Sequence, residues 1–196
     1  MTFVETIPES ESTGETAALY EESREQNGFV QNFVQAFSLR PEVLRAWQQL
    51  NGEIKGRDVR RYELATLAAA RRLRSSYCAL AHGKVLADRF LDAESVTALP
   101  AGLDEVDRAV IELAEQVVDD ATCVTQADVD RLRTFGLSDG EIMDVVLAAA
   151  ARCFFSKTLD ALGVEPDAAF AELDPAFRDP LVVGRPIAAP APDRST

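Results

Sequence analysis

The sequence predicts a single all-α domain with an extended arm at its start and a proline-rich tail at its end. Three observations carry that expectation. Apolar residues recur at three- and four-residue spacing through the middle of the chain, in Ala- and Leu-rich runs with little of the Thr, Val and Ile alternation of strands. Two segments, Thr125-Gln126-Ala127-Asp128 and Ser138-Asp139-Gly140-Glu141, place a hydroxyl three residues before a carboxylate, the pattern that caps a helix start. Six of the prolines, Pro166, Pro175, Pro180, Pro186, Pro190 and Pro192, fall in the last stretch and argue for irregular structure there. The expected organisation is an arm over 1–13, a helical domain over 14–165 and a tail over 166–196, the tail lying along the surface or over a neighbouring subunit.

Helical patterning begins near Glu15 and stops at Asn27-Gly28, a C-terminal stop signal. Phe29, Val30, Phe33, Val34 and Phe37 have helical spacing and line either a pocket or a subunit contact. Pro41 suits the first turn of a helix carrying Val43, Leu44, Trp47 and Leu50, with Asn51-Gly52 as a point of weakening or ending. A helix over Tyr62 to Arg74 presents Leu64, Leu67, Ala68 and Leu73; Ser75-Ser76 breaks it and caps a second, Tyr77 to Phe90. Gly83 inside that second helix costs roughly 1 kcal/mol relative to alanine, which points to close backbone packing. Asp104 to Val118 is amphipathic, with Val106, Val110, Leu113, Ala114 and Val117 inward, and Ser138 opens the longest helix, running to about Leu162-Gly163.

Composition narrows the function. The 196 residues hold 20 Lys and Arg against 33 Asp and Glu, a net charge of -13 that repels phosphate backbones and anionic lipid, so neither nucleic acid nor a membrane surface is expected as a partner. Hydrophobic residues at 47% and charged residues at 27% exclude wholesale disorder. Arg71, Arg72 and Arg74 interrupt the best apolar run well short of a membrane span. Glu5, Glu9 and Glu11 stand where a signal peptide is basic and then apolar, so a cytoplasmic location is expected. The three cysteines, Cys78, Cys123 and Cys153, imply no disulfide framework.

The chemistry concentrates between Glu63 and His82. Cys78 and His82, four residues apart, share one helix face. A cap at Ser75 or Ser76 puts Cys78 in the first helical turn, where free backbone N–H groups favour a thiolate, and His82 one turn on can take or relay a proton. Glu63 is ~22 Å from Cys78 along an unbroken helix, but a reversal near Ser75 brings it back beside His82, giving a Glu–His–Cys proton relay. The same residues also fit a plainer account: a small cysteine and a satisfied histidine in a core, and a solvated glutamate. Cys78 and His82 supply two ligands and no second pair, so a zinc site is not expected; no flavin or haem motif occurs either, and no cofactor is implied. Arg152, inside Ala148–Phe155, needs a carboxylate partner or an interface, with structural pairing favoured over substrate binding. Arg57, Arg60 and Arg61 are surface residues that could bind an anion; Tyr62 and Tyr77 read as core or pocket wall.

The pattern E-x11-S-x-x-C-x3-H formed by Glu63, Ser75, Cys78 and His82 resembles the alkylhydroperoxidase D and carboxymuconolactone decarboxylase superfamily, whose peroxidase branch carries E-x11-C-x-x-C-x3-H. The stretches 32–47, 61–84 and 136–166 are similar to its peroxidase-related subgroup. The resemblance implies an all-helical homo-oligomer (dimer, trimer or hexamer) with Cys78 as peroxidatic thiol, His82 as acid–base partner and Glu63 as orienting carboxylate. Its substrate is then a small peroxide or an organic acid, and its reductant an external thiol. Ser75 stands where the family has its first cysteine, and Tyr77 where the best-known pattern has histidine, so the two-cysteine cycle does not close within the motif. Cys153 or Cys123 could resolve the sulfenic acid, although Cys153 reads as core. Two other functions remain open on the same residues. One is a lyase or isomerase of the carboxymuconolactone decarboxylase type using Glu63 and His82; the other is a redox-responsive assembly module without turnover.

Overall fold

The computed structural model describes residues 2–56 and 58–190; Arg57, one of the anion-binding candidates, and Pro192 lie outside the described residues. Among the described residues there is no strand, and the fold is one helical domain, as the periodicity predicts. Helix α1 (Gly14–Asn27) ends on Gly28, whose φ of 83° is left-handed and whose N–H reaches the Arg24 carbonyl at 2.8 Å. The short α2 (Asn32–Ala36) buries Val34, and Val30 and Phe37 are core while Phe29 is exposed; Phe33 packs edge-on against Tyr77 and Phe155. Helix α3 (Pro41–Lys55) starts on its proline but does not stop at Asn51-Gly52. Its interior contacts, with Leu44, Trp47 and Ile54 buried, carry it a turn further than the local glycine suggests.

Helix α4 (Val59–Arg72) is the hub, packing against α5 (Ser76–Arg89), α7 (Glu105–Asp120) and α9 (Asp139–Ala161). Every residue from Tyr62 to Ala70 is buried. Alanines at 65, 68, 69 and 70 let three helices approach at once, while Leu64 and Leu67, fully buried, each contribute about 2 kcal/mol of transfer free energy. Between α4 and α5 the chain reverses through Arg74, held at φ 57°, with the Ser75 N–H bonded back to Ala70 at 2.9 Å. The expected break is therefore real, but the Ser75 side chain does not cap α5. Two shorter helices between these are α6 (Ala93–Thr97), which the sequence pattern does not reveal, and α8 (Gln126–Thr134). Both capping boxes, at Thr125 opening α8 and at Ser138 opening α9, form in full.

The tail departs from the irregular surface segment expected. After α9 it forms a 3-10 turn at Ala168–Glu172, then α10 (Pro175–Arg178) and a second turn at Asp179–Leu181, with prolines at permitted first-turn positions. Phe177 and Leu181 are buried. Leu181 explains Gly83: a Cβ there would lie 2.7 Å from the Leu181 methyl. Gly184 crosses the α4–α5 corner, donating its N–H to the Ser76 hydroxyl at 2.8 Å, so closely over Arg74 that no side chain fits. At the C-terminal end of α9, the Phe3 N–H bonds to the Leu162 carbonyl at 2.8 Å. Among the described residues no helix is long and apolar enough to cross a membrane.

Candidate active site

The reversal at Ser75 folds α4 back along α5 and puts Glu63 against His82: Glu63 Oε2 lies 2.6 Å from His82 Nδ1. Glu63 is 1% exposed and its other oxygen is 3.1 Å from the Lys55 ammonium on α3. Burial raises the Glu63 carboxyl, but the hydrogen bond and charge of His82, together with Lys55, outweigh it and hold the group below its ordinary value. Burial pushes the His82 imidazole down, aided by the nearby Arg152 charge and opposed by Glu63. A neutral ring facing a carboxylate carries its proton on Nδ1, leaving the Nε2 lone pair free to accept.

That lone pair is occupied. Arg152 Nη1 lies 3.0 Å from His82 Nε2, and the same nitrogen contacts Cys78 Sγ at 3.8 Å. Arg152 is buried at 3% exposure, with Nη2 donating to Asn51 Oδ1 at 3.1 Å. Asn51 in turn accepts from the Tyr62 hydroxyl at 2.7 Å. The guanidinium lies against a stacked aromatic pair, 5.0 Å from the Trp47 centroid and 5.2 Å from that of Phe155, the two centroids being 4.8 Å apart. Its Nε has no hydrogen-bond partner among the described residues. Cys78, 2% exposed, sits in the first turn of α5, and the His82 side chain keeps 14% exposure, so the cluster meets solvent at the imidazole edge. Beside it an open apolar groove of about 440 Å³ runs between α3 and α9, bounded by Trp47, Leu50, Ile54, Ala151 and Phe154.

No protein-family model matches the chain, and no curated protein does. Solved structures do. The chain matches the alkylhydroperoxidase core of an uncharacterized peroxidase-related protein from Ralstonia eutropha JMP134 at 21% identity and TM-score 0.74, over 94% of this chain and 98% of that one. The fold is that of the alkylhydroperoxidase D core. A second uncharacterized peroxidase-related protein, from Silicibacter sp. TM1040, matches at 19% identity and TM-score 0.71 over 89% and 90% of the two chains. The debrominase Bmp8, in a cysteine-to-alanine variant bound to 2,3,4-tribromopyrrole, matches at 14% identity and TM-score 0.69 over 92% and 96%.

Within this alkylhydroperoxidase D fold, the structure brings Glu63, Cys78 and His82 to one place and sets the other sequence candidates apart from them. Tyr77 turns away from Cys78: its hydroxyl donates to Asp167 in the tail, and burial with the Asp167 charge pushes the phenol well above its ordinary value. Ser75 is fully buried and, among the described residues, its hydroxyl makes no hydrogen bond of normal geometry. All three cysteines are free thiols. Cys153 follows Arg152 on α9 and is half-buried rather than core; Cys123 is exposed in a turn after α7. Arg60 is held by Asp107 at 2.7 and 2.5 Å and Arg61 by Glu141 at 3.0 Å, so neither is a free anion ligand. Of the two partners expected for Arg152, a carboxylate is not found among the described residues, because α9 aims the side chain at the cysteine and histidine. Asn51 and Lys55 carry no signal in sequence beyond their place on an amphipathic helix; only the packing of α3 onto α4 and α9 reveals them.

Proposed function

We propose that the protein is a thiol-dependent peroxidase in which Cys78 attacks the distal oxygen of an organic or hydrogen peroxide. The observation that carries this reading is the 2.6 Å Glu63–His82 contact assembled beside a cysteine in the first turn of a helix. The sulfur forms an S–O bond as the O–O bond breaks, giving a sulfenic acid and an alkoxide. The alkoxide takes a proton from the solvent water that reaches the site at His82, whose ring Glu63 orients. Two equivalents of an external thiol then return the sulfenic acid to the thiol, releasing a disulfide and water. Ser75 leaves that outside reductant, or Cys153, as the resolving thiol. The groove beside Trp47 gives the organic part of an alkyl peroxide somewhere to lie, and also supports offering the debrominase ligand 2,3,4-tribromopyrrole as a second substrate.

The test is peroxide consumption with excess dithiol for wild type, Cys78→Ser and His82→Ala. The peroxidase reading expects Cys78→Ser to be inactive and His82→Ala to be slowed by about a hundredfold. Turnover of an organic acid that survives in Cys78→Ser but dies in His82→Ala would replace it with acid–base chemistry by Glu63 and His82.

A further inference from the structure

Among the described residues Arg152 is a buried cation without an anion. Arginine stays protonated in proteins, and a desolvated charge is sustained by a counter-charge or a dense set of hydrogen-bond acceptors. Here the acceptors are one amide oxygen, on Asn51, and the lone pair of His82, while Nε is unmet. The nearby carboxylate does not supply the charge: both Glu63 oxygens are taken, one by Lys55 at 3.1 Å and one by His82 at 2.6 Å. With the imidazole neutral, Lys55 and Glu63 cancel and the Arg152 charge is left over. The stacked Trp47 and Phe155 rings lie against the guanidinium but add no negative charge beyond their ring faces. The atom that Nη1 reaches next is Cys78 Sγ, at 3.8 Å, on a helix turn whose N–H groups already favour an anion.

We infer that Arg152 is the counter-charge of Cys78, holding its sulfur as a thiolate in the resting protein. This rests on the thiol-based reading above and adds a residue to it. It also changes the role of His82. The thiol proton leaves to solvent, because the lone pair that would receive it already accepts from the nitrogen that faces the sulfur; the leaving alkoxide takes its proton from solvent water, and His82 holds the guanidinium in place. Asn51, tied to Tyr62, is then a positioning residue for the guanidinium rather than a participant in the chemistry.

The test is the ultraviolet absorbance of the thiolate against pH, taken as the difference between each protein and its own Cys78→Ser counterpart. It needs neither substrate nor reagent access to a buried sulfur, so it can fail while peroxidase turnover stands, and turnover can fail while it stands. Wild type should show the Cys78 thiolate at neutral pH. Arg152→Gln should cut that neutral-pH signal by about tenfold or more and move the profile to the alkaline side, with Arg152→Lys restoring most of it. Asn51→Ala, which keeps the charge but frees Nη2, should reduce the signal by a smaller factor and serves where Arg152→Gln does not fold. A Cys78 signal absent from wild type at neutral pH, or a profile unchanged in Arg152→Gln, overturns the assignment.

Discussion

Two polar clusters flank the first turn of α5, and they are built to opposite rules. On one side Tyr77 and Ser76 face the tail: the Tyr77 hydroxyl meets Asp167, Asp167 also accepts the Asn32 N–H at 2.7 Å, and Ser76 accepts from Gly184. These groups pair neighbour to neighbour and lock the tail onto the helix. On the other side Cys78 and His82 face Glu63, Lys55 and Arg152, where a positive charge is left over and the edge stays open to solvent. Closed polar pairs fix a structure; a cluster with charge to spare, ending at a nucleophile, is arranged for chemistry.

Substitutions on the two sides should separate. The largest effect is expected from Glu63→Gln, which removes the charge that orients His82 and balances Lys55: sulfenic acid formation at Cys78 should slow by about a hundredfold, and stability should fall by about 2 kcal/mol in denaturant unfolding. Tyr77→Phe should do the reverse, costing about 1–2 kcal/mol because Asp167 loses a buried donor, while the rate at Cys78 stays at the wild-type level. A Tyr77→Phe variant that is slow at Cys78 would erase the distinction between the two sides.

Much of this division is legible in the sequence. The i, i+4 spacing puts Cys78 and His82 on one face, and the Ser75-Ser76 break predicts the reversal that returns Glu63 to His82, because both are local consequences of helix geometry. Gly83 likewise signals a close approach, though not that Leu181 makes it. Arg152 is visible as an anomaly in an apolar run, but its partners come from α3 and α5, far away in sequence, and no local rule says which face of α9 meets them. Asn51 shows the same limit from the other side. Its neighbouring glycine marks a helix end by local rules, and only tertiary packing carries the helix past it and turns its amide into a brace for the guanidinium. The tail departs from its sequence pattern for a related reason. Prolines argue against long helices, yet short helical turns accept them in their first turn, and Phe177 and Leu181 supply the burial that holds those turns in place.

The smallest expected effect is on pH dependence. His82 is held below its ordinary value, so on acidification below about 6.5 the unfolded chain takes up a proton that the folded chain does not, and stability falls as pH drops through that window. Glu63, also held low, adds a loss in the same direction further into the acid range, below the ordinary glutamate value. Asp167, raised by burial and only partly relieved by Tyr77 and Asn32, works the other way as it gains its proton. His82→Gln should therefore flatten the unfolding midpoint against pH just below about 6.5 and leave the more acidic limb in place.

The most direct measurement is which thiol oxidises first. Wild type would be exposed to a limiting amount of cumene hydroperoxide with a sulfenic acid trap present, and the label at each cysteine read by mass spectrometry over time. Exposure alone ranks Cys123 first, Cys153 second and Cys78, at 2%, last. A peroxidatic Cys78 predicts the opposite order, with its own label ahead of both others. Labelling that follows exposure, with Cys78 slowest, would contradict it.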